Sequence, residues 1–432
     1  MDGQILEHIE RNNAERELLD LEISNQRTKR LRSTLATRKM PTRKPKVTTD
    51  DKITIPGMSG TLGARILTVS NDIVMNCWNS KYIGYISRNV VIDFNNKAQL
   101  KMIGVKLVQL KKYSVDINIT SRSIKTFEDI LKKARNHNES ASCLIRIENY
   151  KYQYNERAIK MIYMHILDQI VNKPILFTTT TQKKLSEMSF IVKFWGPVME
   201  QYFDPNVYFV QWGDTKSPYL MHSNIGFKLD LRIVITDIND KEVDVFTGEF
   251  ASYTATIASK MNRDLLKSVL ATKGHLNAIL EKMPYIPANK IDKVVLPLIQ
   301  IMGLSCIVYT MNIIDKKLYT VQKVASFNYP STLRELKAGS IKKVLDGFAL
   351  IDATITNVNE MIAEFSRTPT NTLSDLLNGK RKNAGVDPIK IEDYISKIIP
   401  CNELEDDSNS NGESDDNDND DDDDSDDNND EE

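Results

Sequence analysis

Sulfur ligands are scarce in this sequence. Its four cysteines, Cys77, Cys143, Cys306 and Cys401, stand far apart with no CxxC spacing, which argues against a zinc site or a disulfide framework. A reducing, intracellular compartment is the expectation from that usage. Long apolar runs are also missing: no stretch approaches the ~20 residues that a membrane-spanning helix needs. The opening residues MDGQILEHIERNNAERELLDLEIS are acidic and polar, unlike a secretory leader. No GxGxxG or GxxxxGK[ST] appears, so a nucleotide-binding phosphate loop has no sequence support. The histidines (His8, His137, His165, His222, His275) show no HExxH spacing, and no GxSxG elbow presents a nucleophilic serine.

Charge, by contrast, is plentiful and unevenly placed. Between Glu403 and Glu432 there are 18 acidic residues and no Lys or Arg; the rest of the chain carries 57 basic against 41 acidic residues, a net of +16. A basic body with an acidic tail points to a polyanion such as nucleic acid, and to a tail that competes with it or engages basic proteins such as histones. A nuclear or nucleocytoplasmic location is the matching expectation. Lysine-rich surfaces also serve simply as solvating devices, so composition leaves that alternative open.

The chain divides into five stretches. Residues 1–50 read as a short helical pattern running into a basic arm, KRLRSTLATRKMPTRKPK, with no apolar periodicity. Residues 51–175 mix helices and strands; in NERAIKMIYMHILDQIV, residues Ile159, Ile162, Tyr163, Ile166, Leu167 and Ile170 form a helical apolar stripe with His165 beside it. Residues 176–365 hold the clearest order of elements. LSEMSFIVKFWGPVMEQYF predicts a helix kinked near Gly196-Pro197, NVYFVQW a strand, and KLDLRIVITDINDKEVDVFTGEFA a hairpin. A long helix is expected from about residue 252 to 282, then a helical KVVLPLIQIMG, a second hairpin around DKK, and a helix capped by Ser331 or Thr332. Residues 366–402 read as a linker with the basic cluster Lys380-Arg381-Lys382 and a SUMO-acceptor-like Ile389-Lys390-Ile391-Glu392. Residues 403–432 cannot bury apolar surface, which predicts disorder.

The first hairpin carries the chemistry. Alternation sets Phe227, Leu229, Leu231 and Ile233 on one strand face, with Lys228, Asp230, Arg232 and Val234 on the other. Asp230 flanked by two cations is one form of an ordinary charge pair on a sheet. Glu249 ends the second strand after Gly248, where a backbone without a side chain lets a ligand approach. Carboxylate oxygens meeting at one sheet end are what magnesium or manganese prefers. Glu187, on the preceding helix, is placed to join them. In the following helix, Lys260, Asp264 and Lys267 fall at i, i+4 and i+7, next to an apolar stripe of Ile257, Met261, Leu265 and Val269. Lys260 either faces the acids or belongs to an exposed Lys-Asp-Lys ladder. Trp195 and Trp212 read as core or groove-wall residues.

The ordered set SEMSFIVKFWGP, VQWGDT, KLDLRI, EVDVFTGEFA and KMNRDLLKSVLATKGHL resembles a family of proteins from mucoralean fungi, over about residues 180–350. More distantly, helix–strand–Asp–strand–Glu–helix is similar to the PD-(D/E)XK nuclease superfamily. That resemblance implies an α/β fold with a mixed sheet flanked by helices, and metal-dependent phosphodiester cleavage. It assigns Glu187 to the N-terminal helix glutamate, Asp230 to the central aspartate and Glu249 to the acid of the D/E-x-K element. Ala251 stands where that element has its lysine, so Lys260 is the candidate replacement. The expectation is a nucleic-acid-binding protein with catalytic Glu187, Asp230, Glu249 and Lys260, and Mg or Mn on Asp230 and Glu249. The alternatives are an inactive binding module on the same fold, and a protein-interaction protein acting through its tail.

Overall fold

Two hairpins supply the centre of the fold. The chain is described here from a computed structural model covering residues 49–119, 123–134, 136–237, 240–255, 258–367, 389–401 and 404. The arm up to residue 48, the Lys380-Arg381-Lys382 cluster and nearly all of the acidic tail lie outside the described residues, as does Ile257.

Strands β1 (Val91–Asp93), β2 (Phe209–Lys216), β3 (Lys228–Thr236), β4 (Glu242–Ala251), β5 (Val295–Met302), β6 (Ser305–Asp315) and β7 (Leu318–Asn328) form one mixed sheet. Its order is β1-β7-β6-β5-β4-β3-β2. The pairs β1–β7 and β4–β5 are parallel; the others are antiparallel. β1 comes from the 51–175 stretch, so the sheet draws on both of the globular segments read from sequence.

The principal helices flank this sheet. They are α1 (Leu62–Asp72), α2 (Trp78–Arg88), α3 (Lys97–Ile103), α4 (Lys125–Lys132), α5 (His137–Glu148), α6 (Arg157–Asn172), α7 (Glu187–Phe190), α8 (Gly196–Tyr202), α9 (Ala258–Glu281), α10 (Leu333–Lys337) and α11 (Ser340–Phe365). The expected stripe of α6, from Ile159 to Ile170, is buried at all six positions. α9 packs on β4, β5 and α2, and α11 packs on β5 and β7. α10 starts at a capping box in which Thr332 accepts the Glu335 N–H, confirming Thr332 as the cap. No helix among the described residues is long and apolar enough to cross a membrane.

Two sequence expectations change. KVVLPLIQIMG is not helical: it is β5, buried along seven of its eight residues. A short unbroken apolar run has no period to separate helix from strand, and central strands with a parallel partner read as just such runs. Pro297 is accommodated because parallel pairing with β4 begins one residue later, at Leu298. The break near Gly196-Pro197 takes the form of a π-helical turn over Ile191–Trp195. The Gly196 N–H reaches back five residues to the Ile191 carbonyl, and a Cβ at Gly196 would lie 2.9 Å from that oxygen. The inserted residue leaves Trp195 buried, its indole donating to the Gly303 carbonyl at 2.8 Å.

Candidate active site

Asp230 does not pair with the cations beside it on β3. Lys228 binds Asp214 at 3.2 Å, and Arg232 turns to the part-buried Asp244 at 2.6 Å and to the Thr215 hydroxyl at 3.0 Å. Asp230 instead accepts the Phe250 N–H of β4 at 2.8 Å. An ordinary strand-face charge pair is therefore not its role. The bond ties the aspartate to the end of the neighbouring strand, beside Glu249.

Gly248 lets the strands close up there. A Cβ on it would meet Leu231 and Ile299 side chains at 3.1 Å. The next residue, Glu249, is 1% exposed. One carboxylate oxygen, Oε2, forms an ion pair with the Lys267 ammonium, while Oε1 is buried without a hydrogen-bond partner. Lys260 reaches a different acid, binding Glu187 Oε2 at 3.1 Å. Glu187 enters from the start of α7, where Ser186 caps the helix by accepting the Ser189 N–H.

These groups share one cavity of about 250 Å³, lined by Trp78, Glu187, Asp230, Glu249, Phe250, Ser259, Lys260, Arg263, Asp264 and Lys267. All four catalytic candidates from the sequence are thus brought together, although about 60 residues of chain separate Glu187 from Glu249. The exposed Lys-Asp-Lys ladder is excluded: Asp264 is 9% exposed, and its Oδ2 is also buried without a partner. The sequence stripe contained Lys267 but pointed to Lys260 as the substitute lysine. The structure gives Glu249 to Lys267. Two further residues line the cavity: Arg263, three residues after Lys260 and so on the same helix face, and Trp78, which nothing in the sequence signals.

Burial dominates the electrostatics. Desolvation pushes the Glu249 carboxyl well above its ordinary range, with Asp230 and Asp264 adding to the shift and Lys267 opposing it. Asp264 is raised to about 6, chiefly by burial and further by Asp230, against the pull of Lys260 and Lys267. Glu187 is raised by burial and by Asp230. For Lys267, burial acts downward, but Glu249 and Asp230 outweigh it and hold the ammonium charged. Divergent environments for neighbouring acids and lysines are a signature of sites that handle protons or charge.

Among the described residues, no group of three or more His, Cys, Asp and Glu side chains is spaced to hold a metal ion. The donor chemistry nevertheless suits a hard cation: carboxylates only, with Glu249 Oε1 and Asp264 Oδ2 lacking partners. As arranged here, Lys260, Lys267 and the Phe250 N–H engage Glu187, Glu249 and Asp230.

Other sequence candidates lie elsewhere. Trp212 donates to Glu200 at 2.5 Å and does not line this cavity. His275 is buried against Thr247 and Asp244, with its pKa lowered by desolvation. His165 contacts the Lys193 carbonyl at 3.1 Å. Lys390 is exposed beside the buried Ile391.

Comparison with protein-family models, with curated proteins and with solved structures returned no match. The functional reading therefore rests on the site.

Proposed function

We propose that this chain binds nucleic acid through a PD-(D/E)XK-like core and hydrolyses phosphodiester bonds with magnesium or manganese. One observation carries the reading: Glu187, Asp230 and Glu249, from a helix and two adjacent strands, line one cavity with a lysine on the innermost acid. In that reading Asp230 and Glu249 hold the cation, with Glu187 completing the carboxylate set. The bound ion supplies an activated water and offsets charge on the phosphate oxygens.

The chain's own residues do the rest. The Phe250 N–H fixes one oxygen of the Asp230 carboxylate, and that side chain lines the cavity. Lys267 keeps its proton and, released from Glu249, places a positive charge beside the attacked phosphate. It takes over the work of the side chain that Ala251 lacks, while Lys260 orients Glu187. An inactive binding module is the second reading, favoured by the same ion pairs, which engage Glu187 and Glu249 without a metal.

Cleavage assays separate the two. Single- and double-stranded DNA and RNA are incubated with purified protein and Mg²⁺ or Mn²⁺, beside Asp230→Asn and Glu249→Gln. Metal-dependent cleavage lost in both variants supports the enzyme. Nucleic-acid binding without cleavage, unchanged in both variants, rejects it in favour of the binding module.

A further inference from the structure

Away from the carboxylate site, a second cavity of about 410 Å³ lies between α4, α6, α10 and the start of α11. Its walls are largely apolar, with Leu131, Leu336 and Ile341 all buried there. Three of the side chains around it carry polar atoms left without a hydrogen bond. Tyr163 is 0% exposed, and its hydroxyl has no partner. Glu128 Oε1 and Asp346 Oδ1 are likewise buried and unpartnered. Asp346 gives its other oxygen, Oδ2, to Lys342 at 2.5 Å, so Oδ1 alone is at issue. The Tyr163 ring is held edge-on to Phe127, with centroids 5.2 Å apart. Burial raises the pKa of Tyr163, and the charges of Glu128 and Asp346 raise it further. The phenol therefore keeps its proton and stands within the field of both acids.

The unmet demands are of two kinds: two carboxylate oxygens call for donors, and a phenol proton calls for an acceptor. Buried polar atoms are satisfied as a rule, and a single water takes up only a small part of such a volume. Aliphatic walls do not suit a hard metal ion, which surrounds itself with oxygen ligands. A primary ammonium brings three N–H donors on one atom, and a carboxylate brings acceptors. A ligand carrying both, on an apolar body, meets every demand. The anionic end finds a second match. The 26-residue α11 begins at Gly339 without a side-chain cap, and its first turn lines the cavity together with Lys337 and Lys343. The start of a long helix favours negative charge.

We propose that this cavity binds a free α-amino acid with an apolar side chain. Its ammonium group sits on Glu128 and Asp346, its carboxylate accepts from the Tyr163 hydroxyl and faces the start of α11, and its side chain lies against Leu131, Leu336 and Ile341. The site is separate from the nuclease reading and stands without it.

Isothermal titration calorimetry of the full chain tests the site with L-leucine, L-isoleucine, L-methionine and L-phenylalanine, beside L-aspartate and L-lysine as polar comparisons. Three analogues separate the parts of the ligand. L-leucinamide lacks the carboxylate, 4-methylpentanoate lacks the ammonium, and Leu-Gly-Gly offers the same ammonium from a peptide N-terminus. An apolar amino acid is expected to bind, and each analogue of it to bind at least about 10-fold more weakly, the effect of losing charged hydrogen bonds. Tyr163→Phe keeps the ring and is expected to weaken binding roughly 3- to 10-fold; Glu128→Gln is expected to weaken it roughly 10- to 100-fold. Because Tyr163→Phe removes only an unpaired hydroxyl, it is expected to melt no lower than wild type, so that it reports on binding and not on folding. No heat from any amino acid at millimolar concentration overturns the site and leaves ordered water in the cavity. Equal affinity for L-leucinamide or Leu-Gly-Gly overturns the free amino acid in favour of an amine or a peptide N-terminus. Unchanged affinity in both Tyr163→Phe and Glu128→Gln places the binding elsewhere and overturns the proposal as well.

Discussion

Lys267 on α9 binds one oxygen of Glu249 at the end of β4, while the other oxygen of that carboxylate is buried without a partner. A buried acid with half of its acceptor capacity unused is costly in a protein interior. The same is true of Asp264, one helical turn from Lys267. Two such oxygens in one cavity mark a place where stability is given up, as active sites commonly do.

The two lysines should differ in consequence. Lys267→Met is expected to lower the rate of metal-dependent cleavage by about 10²–10³, the effect of removing one charge-stabilising group from a reaction centre. Lys260→Met, acting through Glu187, is expected to cost less. Single-turnover kinetics with both variants decides the order; a larger loss at Lys260 would return the role to that residue.

Removing the strained charge should strengthen the fold. Asp264 titrates near 6 in the folded protein, above the usual value of about 3.9 for an unfolded aspartate. The folded state therefore binds the extra proton between those values. The contribution of this group is most favourable at low pH and is lost as pH rises through about 6. Asp264→Asn is expected to raise the melting temperature at pH 7–8 and to bring no gain near pH 4, as read by calorimetry against wild type.

Metal should stabilise through the same acids. A cation that binds only the folded state at ~100 times its Kd adds about 2.7 kcal/mol. Millimolar Mg²⁺ or Mn²⁺ is expected to raise the melting temperature of wild type, and Glu249→Gln to abolish the rise. Equal shifts in both proteins would place the cation elsewhere.

Lys273 offers an independent check on the fold. It is fully buried, and desolvation alone lowers its pKa to about 7. Its ammonium reaches the Asn89 carbonyl at 2.9 Å and the Lys397 carbonyl at 3.3 Å, fastening the 389–401 segment to α2 and α9. Asn277 and Asn89 bond the Ser396 and Ile399 carbonyls beside it. Between pH 7 and the ordinary lysine value near 10.4, the unfolded chain holds the proton that the folded chain has released, so stability rises with pH in that window. Lys273→Met is expected to flatten the rise, measured by denaturant unfolding at pH 7, 8 and 9.

The pair Arg232–Asp244 is an ion pair within the sheet, at 2.6 Å. Arg232→Met would leave the part-buried Asp244 with only the Ser217 hydroxyl as a close donor, an expected loss of up to ~3–5 kcal/mol. Denaturant unfolding measures it; a change under 1 kcal/mol would show that His275, 3.7 Å from Asp244, takes up the charge.

Period and punctuation carry a good deal of this protein in the sequence itself. Both hairpins, the buried stripe of α6 and the cap at Thr332 were legible because strand and helix periods are local, and capping spans only four residues. So were Asp230 and Glu249, as acids interrupting otherwise apolar strands. Tertiary structure alone decided β5, since an apolar run without a period takes its conformation from its neighbours. It also decided which lysine serves Glu249. Lys260 and Lys267 share a helix face, but seven residues set them about 10 Å apart along the axis. Only the docking of α9 against β4 chooses between them. The meeting of Trp78 with Arg263 depends likewise on how α2 packs against α9, a distance in space that no spacing along the chain encodes.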